Sequence, residues 1–163
     1  MKATITFDFD ESLQSALASI ITKSAGTIAE TPAEKPADIV TPAFEDGKFI
    51  GVRVCVGGED FIIAPKDYRD GKEMPWQEAM DALKAEGLAT WNYRQICLTM
   101  AYRKEVDKVL VDNGGDSLDN WYWTCAEYSA YYSFYYVGGY GGLYYVSKGG
   151  TFSVRPVLAL AKS

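Results

Sequence analysis

A chain of 163 residues is long enough for one domain plus an extension, and a hydrophobic content of 48% supplies the core such a domain needs. A formal net charge of −6 argues against binding a phosphate backbone, so no nucleic-acid partner is expected. The chain contains no histidine, which removes the commonest general base and the commonest metal ligand.

The segment MKATITFDFDES carries no apolar run, so no signal peptide is expected and synthesis in the cytoplasm is. No stretch approaches the roughly 18 apolar residues of a membrane span, so no membrane insertion is expected. Residues 4–9, TITFDF, alternate like a short strand. Asp10 is placed to cap a helix over 11–25, with Leu13, Leu17, Ile20 and Ile21 on one face and Gly26 as its stop. That one-sided helix needs a partner surface, and residues 1–26 are read as a tether or a homo-oligomerisation element. Residues 27–43 mix proline, alanine and acids without periodicity and read as a linker.

The main domain is expected over 44–163. KFIGVRVCV and EDFIIAP flank Gly57-Gly58 and predict a β-hairpin. Pro75 suits the first turn of a helix running to about 86, with Trp76, Ala79, Met80 and Leu83 as its apolar stripe and Gly87 as its stop. A second helix is predicted over about 92–112, with Ile96, Met100, Val106, Val109 and Leu110 inward. Asn113-Gly114-Gly115 ends it. Cys55, Cys97 and Cys125 stand far apart, form no CxxC pair and are odd in number. Buried reduced thiols are expected rather than a disulfide framework.

Beyond Glu127 there is no acidic residue, and the only charges are Lys148, Arg155 and Lys162. Residues 128–147 read YSAYYSFYYVGGYGGLYYVS, with eight tyrosines, four glycines, three serines and no charge. As a buried sheet the segment would need a partner for every phenol, and its glycine pairs would break any long strand. Disorder fits poorly with the apolar runs that bracket it. A recognition surface fits best: tyrosine gives large, stiff, amphipathic contact area, and serine and glycine give adaptability. Tyr128, Tyr131, Tyr132, Phe134, Tyr136, Tyr140, Tyr144 and Tyr145 are the candidate ligand-binding residues.

The framework WYWTCAEYS…KGGTFSVRPVLAL resembles the C-terminal signature of C-type-lectin-fold variable proteins diversified by retroelements, a family found in phages and gut Bacteroidales. Trp121, Trp123, Thr124, Glu127, Lys148 and Val154-Arg155-Pro156-Val157 carry the match, and the resemblance covers roughly 48–163. It implies an α+β, C-type lectin-like fold with two helices on small antiparallel sheets, the N-terminal strand and helix being an extension. It also implies a hypervariable region at about 121–153 and a terminal strand, about 152–160, paired with the hairpin near 49–64. Trp121, Trp123, Glu127 and Arg155 would be framework, Arg155 pairing with Glu127. The genetic code agrees. Replacing the adenines of an AAC codon yields Tyr, Ser, Gly, Ala, Val, Phe or Leu, never Lys, Glu, Gln, Met or Trp. Every residue of 128–147 is of the reachable kind.

The implied function is non-enzymatic binding of a host-surface macromolecule, protein or glycan, by a virion component such as a phage tail-fibre tip. A structural virion or bacterial interaction protein without diversification is the alternative. Formylglycine-generating enzymes share the fold class but need a reactive thiol. Here Cys97 sits in an apolar pattern and Cys125 beside Glu127, with no histidine to assist either. No cofactor is expected, and no metal, because the calcium-ligand patterns of true lectins are missing.

Overall fold

The computed structural model describes residues 36–160, which belong to a unit beginning at Lys35. The strand expected at 4–9, the helix at 11–25 and the first part of the linker lie outside the described residues.

The fold is α+β, with helices and small antiparallel sheets. A four-residue turn of helix, α1 (Pro36–Ile39), leads into β1 (Val40–Glu45); α1 and the first four residues of β1 fall inside the stretch expected to be linker. The folded unit therefore starts before Phe44. Ile39 and Val40 are buried, and β1 is an edge strand, where Pro42 is tolerated. The expected hairpin is β2 (Lys48–Val56) and β3 (Glu59–Ile63), turning at Gly57 and Gly58, both with positive φ. Gly51 of β2 has no room for a side chain: a Cβ there would lie 2.1 Å from the Ile63 carbonyl oxygen.

After a left-handed turn at Arg69, Asp70 and Gly71, the short β4 (Met74–Pro75) leads into α2 (Trp76–Ala85). The single helix expected at 92–112 is two, α3 (Tyr93–Ala101) and α4 (Arg103–Asp112), meeting at a non-helical Tyr102 with φ −110° and ψ 26°. Asn92 and Gln95 form a reciprocal capping box that fixes where α3 starts. Next come β5 (Trp121–Glu127), β6 (Tyr132–Val137) and β7 (Gly142–Ser147), an antiparallel sheet in that order. The expected terminal strand is also broken. β8 (Thr151–Phe152) pairs with β4, and β9 (Val157–Ala159) pairs with β3, which completes a sheet ordered β1-β2-β3-β9. The pairing of chain end with first hairpin is as expected.

The β5-β6-β7 sheet separates two apolar clusters. Tyr122 and Tyr136 join Val52, Val54, Phe61, Ile63, Trp91, Ile96, Val106 and Leu110 on one side. Trp123 joins Met74, Trp76, Ala79, Leu83 and Val154 on the other. Between the sheets, Arg155 is fully buried, and its Nε donates to Asp67 Oδ1 at 2.6 Å. Its remaining N–H groups donate to the carbonyls of Ala64, Asp116 and Ser117 and to the Tyr122 hydroxyl. The expected pairing of Arg155 with Glu127 is thus incorrect. Glu127 lies at the exposed far end of β5, where it pairs with Lys148.

Removing one member of a buried pair leaves the other charge stranded. Asp67→Ala is expected to cost about 3–5 kcal/mol, read as a lowered urea midpoint, while Glu127→Ala at the exposed pair costs under about 1 kcal/mol.

Candidate functional site

Strand alternation sorts the aromatic segment. β6 pairs with β7 through Phe134–Tyr145, Tyr135–Tyr144 and Tyr136–Leu143, and with β5 through Tyr122–Tyr136 and Trp123–Tyr135. One face therefore carries Tyr132, Phe134, Tyr136, Tyr145 and Tyr122, and the other carries Trp121, Trp123, Tyr135 and Tyr144. On the first face the end at Tyr122 and Tyr136 enters a core and the other end meets solvent; on the second, Trp123 enters a core while Trp121 and Tyr144 are exposed.

The outer end of the first face is a continuous aromatic group. Tyr128 and Tyr145 stack with centroids 4.0 Å apart and planes 3° from parallel. Phe134 meets Tyr128, Tyr145 and Tyr93 edge-on at 5.8, 6.1 and 5.2 Å, and Tyr132 meets Tyr145 at 6.2 Å. Tyr128, Tyr132, Tyr145 and Tyr93 are exposed, and Phe134 is half-buried beneath them. Tyr131 beside them is 79% exposed and Tyr140, in the β6–β7 turn, is 72% exposed. On the opposite face Tyr135 stacks on Phe152 at 4.6 Å and leans on Trp121 and Tyr144 at 5.7 and 5.9 Å. Trp121, expected to be framework, is itself exposed.

Seven of the eight candidate residues thus reach the surface fully or in part. Tyr136 does not. It is completely buried, edge-on to Trp91 and stacked on Tyr122, and Arg103 donates to its hydroxyl and to the Gly138 carbonyl. Burial raises its phenol pKa, partly opposed by the Arg103 charge. Tyr136 is a core residue. Tyr93 was not anticipated: it lies outside the tyrosine-rich segment, and the capping box at Asn92 places it at the first turn of α3, facing Phe134.

Directed hydrogen bonds hold the frame beneath. Trp123 Nε1 donates to the Met74 carbonyl and Trp76 Nε1 to the Thr124 carbonyl, both at 2.8 Å. Ser133, fully buried, donates to Ala126 at 2.7 Å. Lys148 closes the sheet's outer end: its amide donates to Tyr131 at 3.0 Å, and its ammonium pairs with Glu127 and sits 4.3 Å from the Trp76 ring centre. This ion pair lies at the rim of the Tyr128–Tyr132–Tyr145 group.

The three cysteines were expected to be buried, and all three are exposed. Cys97 is on the outer side of α3, and Cys125 points out of β5 next to the bulge that follows Trp123. The protein packed around Cys125 nevertheless holds its thiol above the ordinary pKa, the opposite of an activated nucleophile. Among the described residues no cluster of three or more carboxylates and thiols is placed to hold a metal ion, and no helix is long and apolar enough to cross a membrane. Three hollows meet around Asp119. The first, of about 350 Å³, is lined by Asp67, Asp70, Asp116 and Asn120, with Asp67 already engaged by Arg155 and Asn120. Compared with protein-family models and with curated proteins, the chain matches none.

Two measurements separate frame from surface. Tyr136→Ala is expected to cost about 3–5 kcal/mol in urea unfolding, and Tyr131→Ala within about 0.5 kcal/mol. Alkaline titration reads the buried phenol of Tyr122, which burial pushes up to about 12. A phenol pKa raised by folding stabilises the fold below its unfolded value, and that contribution fades as pH climbs toward the folded value. Stability is expected to fall by roughly 2–3 kcal/mol between pH about 10 and about 12, and Tyr122→Phe to flatten that fall.

Proposed function

We propose that this unit is a non-enzymatic binding module whose ligand-contacting surface is the aromatic outer half of the β5-β6-β7 sheet. The observation that carries the reading is the exposure of Tyr128, Tyr131, Tyr132 and Tyr145 together at one end of a sheet anchored by other residues; Tyr140 at the β6–β7 turn and Tyr144 on the opposite face are exposed as well. A folded domain gains little stability from rings at such exposure, and rings of this kind are effective anchors for a partner. The partner is a host-surface macromolecule, with no nucleic acid and no cofactor involved.

The finer reading is a C-type lectin-like fold carrying a retroelement-diversified surface, on a virion component such as a tail-fibre tip. The closure of β9 on the first hairpin and the placing of the tyrosine-rich strands on a separate sheet support it. The geometry also limits which positions can vary. A Cβ on Gly138 would lie 1.9 Å from the Leu118 carbonyl oxygen, and Ser133, Tyr136 and Val137 are buried.

Two tests follow. In the gene and its flanking DNA, a near-copy of the coding region differing at adenines is expected. The differences should fall in the codons for exposed positions such as Tyr128, Tyr131, Tyr140, Tyr144 and Tyr145, and spare those for Ser133, Tyr136 and Gly138. The absence of any such copy would remove diversification. For binding, labelled protein is applied to arrays of glycans and of bacterial surface proteins. Replacing Tyr128, Tyr131, Tyr132 and Tyr145 together by alanine is expected to abolish the signal, a loss of about 1000-fold or more at about 1–2 kcal/mol per ring. Circular dichroism should stay unchanged, and the signal should depend only weakly on salt. Unfolding of this variant would show that the rings serve the fold instead.

A further inference from the structure

β7 is the outermost strand of its sheet, and its far edge pairs with no described strand. The register shows which backbone groups that edge presents. The Lys148 amide donates to Tyr131, so Val146 and Tyr144, at two-residue steps along the strand, turn their amides toward β6. The other side of β6 agrees: the carbonyls of Phe134 and Tyr132 accept from Thr124 and from Tyr128 and Ser129, on the β5 side. The N–H groups of Leu143, Tyr145 and Ser147, and the carbonyls of Leu143 and Tyr145, therefore face outward. The Ser147 carbonyl already accepts from Gly150 and keeps a second lone pair.

Proteins guard such edges with lysine, proline, bulges or a covering element. Within Gly142–Ser147 there is no charge and no proline, and the β6–β7 register is unbroken. β1, one edge of the four-stranded sheet, carries Pro42, Glu45 and a bulge between Ala43 and Phe44. The contrast lies in one molecule: one edge is protected and the other is not.

We infer that β7 pairs antiparallel with β7 of a second copy of this chain, joining two three-stranded sheets into one of six strands. The chemistry of the strand suits itself. A two-fold axis at Tyr145 uses the whole strand and sets its outward N–H and C=O groups against their own counterparts. Leu143 then lies opposite Ser147, and on the other face Tyr144 lies opposite Val146. Aromatic–aromatic and aromatic–β-branched neighbours are favourable cross-strand pairs. The net charge of −6 sets no like charges against each other within the paired strands, because Gly142–Ser147 carries none. Pairing along the edge leaves both faces of each sheet open, and the aromatic groups of the two copies fall on the same side. The interface is small, so the dimer dissociates on dilution.

Sedimentation of the full chain over a range of concentrations tests this. The wild type is expected to be a reversible dimer. Tyr145→Lys and Tyr145→Glu each set like charges against each other across the axis and should each weaken association by roughly tenfold or more. An equimolar mixture of the two variants should dimerise again. Hydrogen exchange on the wild type is the second readout: the Leu143 and Tyr145 amides should become protected as concentration rises. A wild type that stays monomeric at every concentration overturns the inference. So does a dimer that both charge variants leave intact, or one formed without protection of those two amides. Tyr145 also belongs to the proposed ligand-contacting group, so the charge variants are read by sedimentation alone. Self-association and ligand binding stay separable, because association is judged by re-pairing of the two opposite-charge variants and by wild-type amide protection, neither of which involves ligand.

Discussion

The buried pair of Arg155 and Asp67 is the point where the three parts of the unit meet. Arg155 lies between β8, which belongs with β4, and β9, which belongs with β3. Asp67 follows the first hairpin, and its second oxygen accepts from Asn120, just ahead of β5. One guanidinium thereby holds the end of the first hairpin, the loop before the aromatic sheet and the crossing of the chain's last strands. A charge with no exposed surface demands a full set of partners, so the backbone around it is fixed by what it must accept. Such a centre is sensitive to loss of either partner.

A division between inner and outer phenols explains how so many tyrosines share one short segment. The inner phenols are satisfied: Tyr122 by Arg155, and Tyr136 by Arg103. The buried Trp91 indole N–H finds no acceptor among the described residues, and the Tyr122 and Tyr136 rings lie with centroids 5.8 and 6.4 Å from the indole's. An N–H···π contact is the compensation open to it. The outer phenols need no such provision because water serves them. Tyr145 shows the intermediate case. The Tyr128 phenol stacked beside it raises its pKa although the ring is exposed.

Much of this was legible in the sequence, and the misses have physical causes. The hairpin at Gly57-Gly58 and the helix after Pro75 were announced by local turn chemistry and periodicity. So was the display of most of the tyrosines, since eight uncharged phenols in twenty residues exceed what a core can satisfy. Tyr136 was not distinguishable, because YYSFYY has rings at both parities and alternation has nothing to phase on. Its burial is decided by Arg103 and Tyr122, which come from elsewhere in the chain. The partner of Arg155 is 88 residues away, beyond any local pattern, while Glu127 was merely the nearest plausible acid. The strand at 40–45 was hidden by Pro42, which counts against a central strand but not against an edge. The break at Tyr102 left no mark because the apolar spacing continues across it.

The register of the four-stranded sheet has one more consequence. Val40 pairs with Val54, Val54 with Phe61 and Phe61 with Ala159, so all four lie in one row across the strands. The first residue of β1 and the last of β9 are therefore three strand spacings apart, about 14 Å. Polypeptide arriving at one and leaving from the other needs little detour. The unit has the geometry of an insert: spliced into a surface loop of an unrelated scaffold, it could be carried without pulling that loop open.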